Sequence, residues 1–287
     1  MIVVGLAGWG DHDTLYAPGT AAKDKLKGYA AHFSVVEMDS SFYAVQPPER
    51  MARYAEETPE GFGFVVKAYQ GMTGHLRGKP YYDSDDEMYG AFRDSLAPLL
   101  QAGKLTAALF QYPPWFDCTK ENVRLLRETK KRMEGFPCVL EFRHRSWYEP
   151  AYRGRTLAFL REEGWIHGVC DEPQAGPGSI PIVPEATDEK LTLVRMHGRN
   201  AGGWNQSGAA NWREVRYLYD YNEEELAEWK AIAERLELES RTIAVIFNNN
   251  SGGHAAGNAK RFMRMLGQSV YELPEENEPE QMDLFKL

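Results

Sequence analysis

The sequence predicts an α/β protein: one TIM-type (β/α)8 barrel domain over residues 1–269, followed by a flexible acidic tail over 270–287. Three observations carry this prediction. Eight strand-like apolar runs recur at 2–9, 35–43, 62–69, 106–113, 137–144, 165–171, 191–197 and 242–249. Helical apolar spacing fills most of the intervals, at 21–32, 47–57, 86–101, 119–133, 150–163, 223–238 and 255–267. Alternating strand and helix favours a parallel sheet, and eight repeats favour closure. Third, seven runs end in polar residues on one alternating face, as expected where a barrel gathers a site at its strand carboxyl ends. An open doubly wound sheet shares the alternation, but neither GxGxxG nor a P-loop follows the first run.

In chain order, the opening run Met1 to Trp9 has no basic flank and reads as a strand, not a signal peptide. The run from Val35 to Tyr43 places Glu37, Asp39, Ser41 and Tyr43 on one face, against Val36, Met38 and Phe42. Lys67 shares a face with Val65, and Gln111 with Leu109. Between those two runs lies a long segment, 70–85, rich in Gly and Tyr. Glu141, Arg143 and Arg145 share a face with Val139, while His144 falls on the opposite parity and is suited to anchoring the next loop. Asp171 is grouped with Val169. A Pro- and Gly-rich segment at 172–190 then stands where a crossover helix would be. Arg195, His197 and Arg199 share a face, and the long segment 198–222 follows them. Asn248 lies with Ile246 on the last run. Long segments in a compact domain are often functional lids, or else surface decoration.

Composition narrows the function. The 287 residues are 43% hydrophobic and 26% charged, with a formal net charge of -9, so anion binding must be local rather than a whole-surface property. No apolar stretch approaches the roughly 20 residues of a membrane helix. Cys118, Cys138 and Cys170 lack CxxC spacing, which fits a reducing cytoplasm without disulfides or a thiolate zinc site.

The set expected at the lumen and rim is Glu37, Asp39, Lys67, Gln111, Glu141, Arg143, Asp171, Arg195, His197 and Asn248, with Arg145 and Arg199 one step further out. Arginines at the rim would make the mouth cationic and suit a phosphate- or carboxylate-bearing substrate. Lys67, Arg143 and Arg195 are candidates for binding an anion and stabilising developing charge. His197 is the candidate acid or base, with Glu141 or Asp171 orienting it or activating water. Glu37, Tyr43, Gln111, His144, Trp147, Arg199 and Asn248 are candidate substrate-binding residues, and Trp9 and Trp204 are further candidate walls. Each also has a structural reading: Glu141 and Arg143 as an internal ion pair, His197 as a core histidine, Asp171 as a turn cap, the aromatics as packing. No cofactor is predicted. A divalent metal is chemically allowed by Glu37, Glu141, Asp171, His75 and His197, although arginines beside those carboxylates oppose it.

Val36 to Tyr43, Phe62 to Ala68, Phe110 to Pro114, Glu141 to Trp147, Arg195 to Gly198 and Phe247 to Asn250, with Gly257 to Ala259, resemble in order the motifs of the domain-of-unknown-function 72 family, also called YecE-like. The resemblance implies a TIM-type barrel and supplies no reaction. This chain has Asp39 where the family usually has Asn, which leaves the role of Asp39 open.

In the tail, Gln281 to Phe285 looks like the bacterial sliding-clamp-binding pentapeptide: a Gln amide to orient, then Leu284 and Phe285 as apolar anchors. A Leu-Phe pair folded back on the barrel is the plain alternative. The leading expectation is therefore a barrel enzyme acting on a phosphorylated or phosphodiester substrate in DNA or nucleotide metabolism, recruited by the clamp. A sugar or sugar-phosphate isomerase or hydrolase, and a non-catalytic clamp-borne adaptor, are the alternatives.

Overall fold

A computed structural model describes residues 1–204 and 215–273. Its strands are β1 (Ile2–Ala7), β2 (Val35–Met38), β3 (Gly63–Lys67), β4 (Leu105–Gln111), β5 (Cys138–Glu141), β6 (Ile166–Asp171), β7 (Leu191–Met196) and β8 (Thr242–Phe247). They close into a barrel in sequence order, and β8 pairs in parallel with β1. The helices are α1 (Lys25–His32), α2 (Ser40–Tyr43), α3 (Pro48–Glu57), α4 (Asp85–Gln101), α5 (Lys120–Arg132), α6 (Arg153–Glu163), α7 (Ala201–Trp204), α8 (Glu223–Leu236) and α9 (His254–Met265). The TIM-type fold expected from the sequence is the fold observed.

Local chemistry sets the helix starts. Ser84 and Thr119 accept hydrogen bonds from the third residue of the segments they cap, opening α4 and α5. Asn222 and Glu225 cap each other at the start of α8 in a reciprocal box. No helix separates β6 from β7, as the Pro- and Gly-rich segment suggested.

The strands are buried on both faces. Their outward side chains, such as Phe64, Phe110 and Phe247, pack under the helices in one continuous core. The inward residues form a second cluster, including Val35, Val65, Leu109, Val139, Ile166, Leu193 and Ile246, which fills the lower lumen. Above it, at the carboxyl ends, the same inward parity carries Glu37, Glu141 and Arg195, all fully buried. An apolar plug therefore supports an ionic layer.

Two segments depart from the expected pattern. The run expected to extend to Tyr43 stops at Met38 and turns into α2. The Ser41 hydroxyl donates to the Met38 and Lys67 carbonyls and ties this turn to β3. The tail expected from residue 270 is fastened at its root. Val270 packs on the core, and Glu272 pairs with Lys260 at 2.7 Å and also with Arg264.

Candidate active site

Arg195 is the hub of the ionic layer. Its Nε donates to Glu37 at 2.7 Å, and its Nη1 donates to both Glu141 carboxylate oxygens at 2.8 and 3.0 Å. Its Nη2 donates to the other Glu37 oxygen. Arg143 extends the network, with Nε donating to Glu141 and Nη1 to Glu172, each at 2.5 Å. Three carboxylates thus share two guanidiniums. Burial of such ions costs several kcal/mol each before pairing, so a layer of this kind is weak support for stability and points to a functional site.

The titration properties follow from this geometry. Burial pushes the Glu141 carboxyl up, but Arg143 and Arg195 outweigh it and hold the group at about 2. For Glu37 burial wins over Arg195, and its pKa is raised. Burial also dominates at Glu172, which rises to about 7 despite Arg143 and the Ile180 amide.

His197 completes the layer. Arg143 Nη2 lies 2.7 Å and Arg195 Nη1 3.3 Å from its Nε2. Burial lowers its pKa well below the ordinary value, and Arg143, Arg195, Arg216 and Lys67 lower it further. The ring is therefore neutral near pH 7. Arginine nitrogens only donate, so Nε2 accepts and the proton resides on Nδ1. Nδ1 lies 2.9 Å from the side-chain amide of Asn248, whose carbonyl oxygen belongs on the ring side by hydrogen-bond chemistry. A resting imidazolium acid, one of the two roles expected for His197, does not fit this environment.

The other candidates divide. Lys67 stands at the mouth, 3.3 Å from Asp39 and 5.0 Å from the Phe42 ring. Gln111 reaches Arg195 only at 3.5 Å and keeps its amide partly exposed. Asp171 requires correction: it faces out of the barrel. There its carboxylate accepts from Arg199 Nε at 2.9 and 3.0 Å and from Trp229 Nε1 at 2.9 Å. Arg199 leaves the mouth with it and also bonds Glu228 at 3.0 Å. Arg145 is exposed on the turn after β5 rather than part of a cationic rim.

The aromatic and histidine candidates also shift. Trp147 is packing: it stacks on Phe142 at 4.0 Å and donates to the Phe116 carbonyl. His144 accepts from the Ser146 amide and caps that turn, which fits its opposite parity. Tyr43 sits on α2 and is 58% exposed. Gln281, Leu284 and Phe285 lie outside the described residues.

Asp171 lies outward against the sequence expectation because β6 runs apolar on both faces, as buried parallel strands do, and alternation there gives no contrast. Its inward residues are Ile166, Gly168 and Cys170. A Cβ at Gly168 would lie 3.2 Å from that of Glu141, so the missing side chain makes room for the ionic layer. Glu172 and Arg216 were missed. Correct parity on β6 would have reached Glu172, because it continues the Gly168 and Cys170 alternation. Arg216, on the segment after β7, lies 4.1 Å from the Trp204 ring, and the sequence offers no periodic signal for it.

Among the described residues, Glu141, Cys170 and His197 bring ligand-type atoms within 4.8 Å of one another. The set does not fit a divalent cation. Two guanidiniums already occupy the Glu141 oxygens and His197 Nε2, and burial keeps the Cys170 thiol protonated.

A family model described as protein of unknown function DUF72 matches residues 3–282. The chain belongs to the DUF72 family. It is 54% identical over 286 residues to UPF0759 protein YunF of Bacillus subtilis (strain 168), covering 99% of this chain and 100% of that one. A crystal structure of a DUF72 family protein from Enterococcus faecalis V583 matches with TM-score 0.89 and 38% identity, covering 99% of this chain and 100% of that one. Another, from Thermotoga maritima MSB8, matches with TM-score 0.79 and 29% identity, covering 93% and 100%. In this DUF72 chain, solvent reaches Lys67, Asp39, Gln111, Asn248 and Arg216 but not the three carboxylates below them. No described helix is long and apolar enough to cross a membrane.

Proposed function

We propose that the chain is an enzyme that binds a phosphate-bearing substrate at the barrel mouth and hydrolyses it with His197 as base. The observation that supports this most is the convergence of two guanidiniums on one imidazole nitrogen, at 2.7 and 3.3 Å. Lys67 and Arg216 add to the same positive field and are reached by solvent. A phosphate placed there adds negative charge beside the cations that depress His197, so its pKa rises on binding. Once Arg143 Nη2 turns from His197 Nε2 to the phosphate, that nitrogen takes a proton from the attacking water as the water oxygen bonds to phosphorus and the bond to the leaving oxygen breaks. Arg143 and Lys67 stabilise the charge that develops. Gln111 and Asn248 present amides to the rest of the substrate. An unphosphorylated sugar could use those amides but brings no negative charge to raise the His197 pKa. The test is whether a phosphate compound binds at the mouth and restores the basicity of His197.

A phosphodiester in DNA or a nucleotide is the proposed substrate class, and the tail supplies the reason for placing it in DNA metabolism. Gln281, Leu284 and Phe285 match a clamp-binding pentapeptide, and tethering raises local concentration for an acidic protein that DNA repels. This part rests on sequence alone. Micromolar binding to a bacterial sliding clamp, lost in Leu284→Ala/Phe285→Ala, is the expected result. No binding by the unaltered chain removes the clamp from the proposal.

A further inference from the structure

Three loops at the carboxyl ends of β2, β3 and β4 bring a row of rings to one side of the mouth. Tyr43 meets Phe42 at 5.3 Å, Phe42 meets His75 at 5.2 Å, and His75 meets Trp115 at 5.9 Å. Every contact is edge-to-face, with interplanar angles of 90°, 76° and 65°, so the end rings, Tyr43 and Trp115, each give up at most one face to the row. The two ends are open: Tyr43 is 58% and Trp115 is 55% exposed. A cation accompanies each half of the row, Lys67 at 5.0 Å from the Phe42 ring and Arg77 at 5.6 Å from the Trp115 ring. Single exposed aromatics need no explanation. A run of rings in steps of 5–6 Å, interleaved with cations and continuous with the site through Lys67, does.

We infer that this arc binds single-stranded nucleic acid, with unpaired bases stacking on Tyr43 and Trp115 and phosphates passing Lys67 and Arg77. Stacking platforms combined with basic side chains are the physical means of holding an unpaired strand, because every base has a π-face and every linkage a charge. A duplex hides its base faces and offers only its backbone. Asp39, 3.3 Å from Lys67, is the carboxylate that a phosphate must displace at that point. His75, held neutral at about pKa 4 by burial and then by Lys67, Arg143 and Arg77, contributes a ring rather than a charge. The inference rests on the proposed phosphodiester reading through Lys67 alone.

The experiment is fluorescence anisotropy with a short labelled oligothymidylate on the full chain, repeated with Trp115→Ala, Trp115→Phe and Arg77→Ala. Both side chains are exposed, so circular dichroism should show the variants folded. Trp115→Ala should weaken binding by on the order of tenfold, while Trp115→Phe keeps most of it. Arg77→Ala should lower the salt dependence of binding. Thymidine monophosphate and a blunt duplex should compete poorly. Equal binding by wild type and Trp115→Ala, no binding by wild type, or competition by the mononucleotide or duplex as strong as by the oligonucleotide would each overturn the inference. Phosphate binding read at His197 is a separate signal. If it persists while the oligonucleotide fails, the arc is wrong and the phosphate site stands; if it is absent while the oligonucleotide binds through Trp115, the reverse holds.

Discussion

Replacing Arg195 by methionine is expected to lower the free energy of unfolding by about 3–5 kcal/mol, because it strands the buried Glu37 carboxylate without its partner. Arg195 is fully buried and donates to both Glu37 and Glu141. Glu141 keeps Arg143, whereas Glu37 loses its guanidinium. Urea unfolding measures the loss. The variant should recover at acidic pH. An unpaired buried carboxylate has a raised folded pKa, so its folded state is favoured while protonated and penalised as pH rises through that value. Glu37→Gln in the Arg195→Met background should restore part of the stability near pH 8, since it removes the stranded charge. A loss under about 1 kcal/mol, unchanged between pH 5 and 8, would mean that the layer is hydrated and its charges are independent of one another.

The second large effect belongs to Glu172. Burial raises this carboxyl from 4.5 to about 7 against the pull of Arg143. The folded state therefore binds the proton more tightly than the unfolded chain does. The stabilisation is complete below the unfolded value near 4.5 and is lost as pH rises through about 7. The group is 2% exposed, and the span corresponds to on the order of 3 kcal/mol. Arg143 and the Ile180 amide donate to different oxygens of Glu172, so Glu172→Gln keeps an acceptor for only one of them, but it does not titrate. Unfolding free energies at pH 5 and pH 8 should fall for the wild type relative to this variant. Parallel pH profiles would show that Glu172 stays ionised in the fold and is fully paired by Arg143.

The barrel was legible in the sequence because its strands are separated by helices with clear periodicity, and parity is strict along a strand. Glu37, Glu141, Arg195 and His197 were placed inside on that rule alone. The rule fails where one face gives no contrast. On β6, Gly168 has no side chain and both faces are buried, so Asp171 was assigned inward while Glu172 was overlooked. It fails again once a strand ends: α2 carries Tyr43 away from the lumen, and the turn after β5 carries Arg145 outward. Charge counting along the sequence also misled. Arg199 counted as a mouth cation, yet Asp171 and Glu228 hold it outside, while Arg216 takes its place from an aperiodic segment. Ion pairing between distant strands, such as Glu37 with Arg195, is a property of the closed barrel and has no local signature.

The most direct measurement is the protonation of His197, followed by nuclear magnetic resonance of the labelled imidazoles between pH 5 and 8, with and without inorganic phosphate. The chain has seven histidines, and a His197→Gln variant assigns the signal. Without phosphate, His197 should stay neutral with its proton on Nδ1 throughout. With phosphate, its pKa should rise into the measured range, and Lys67→Met should weaken that response. An imidazolium at His197 in the phosphate-free protein near pH 7 would contradict the proposed site, as would a ring that ignores phosphate at every concentration tried.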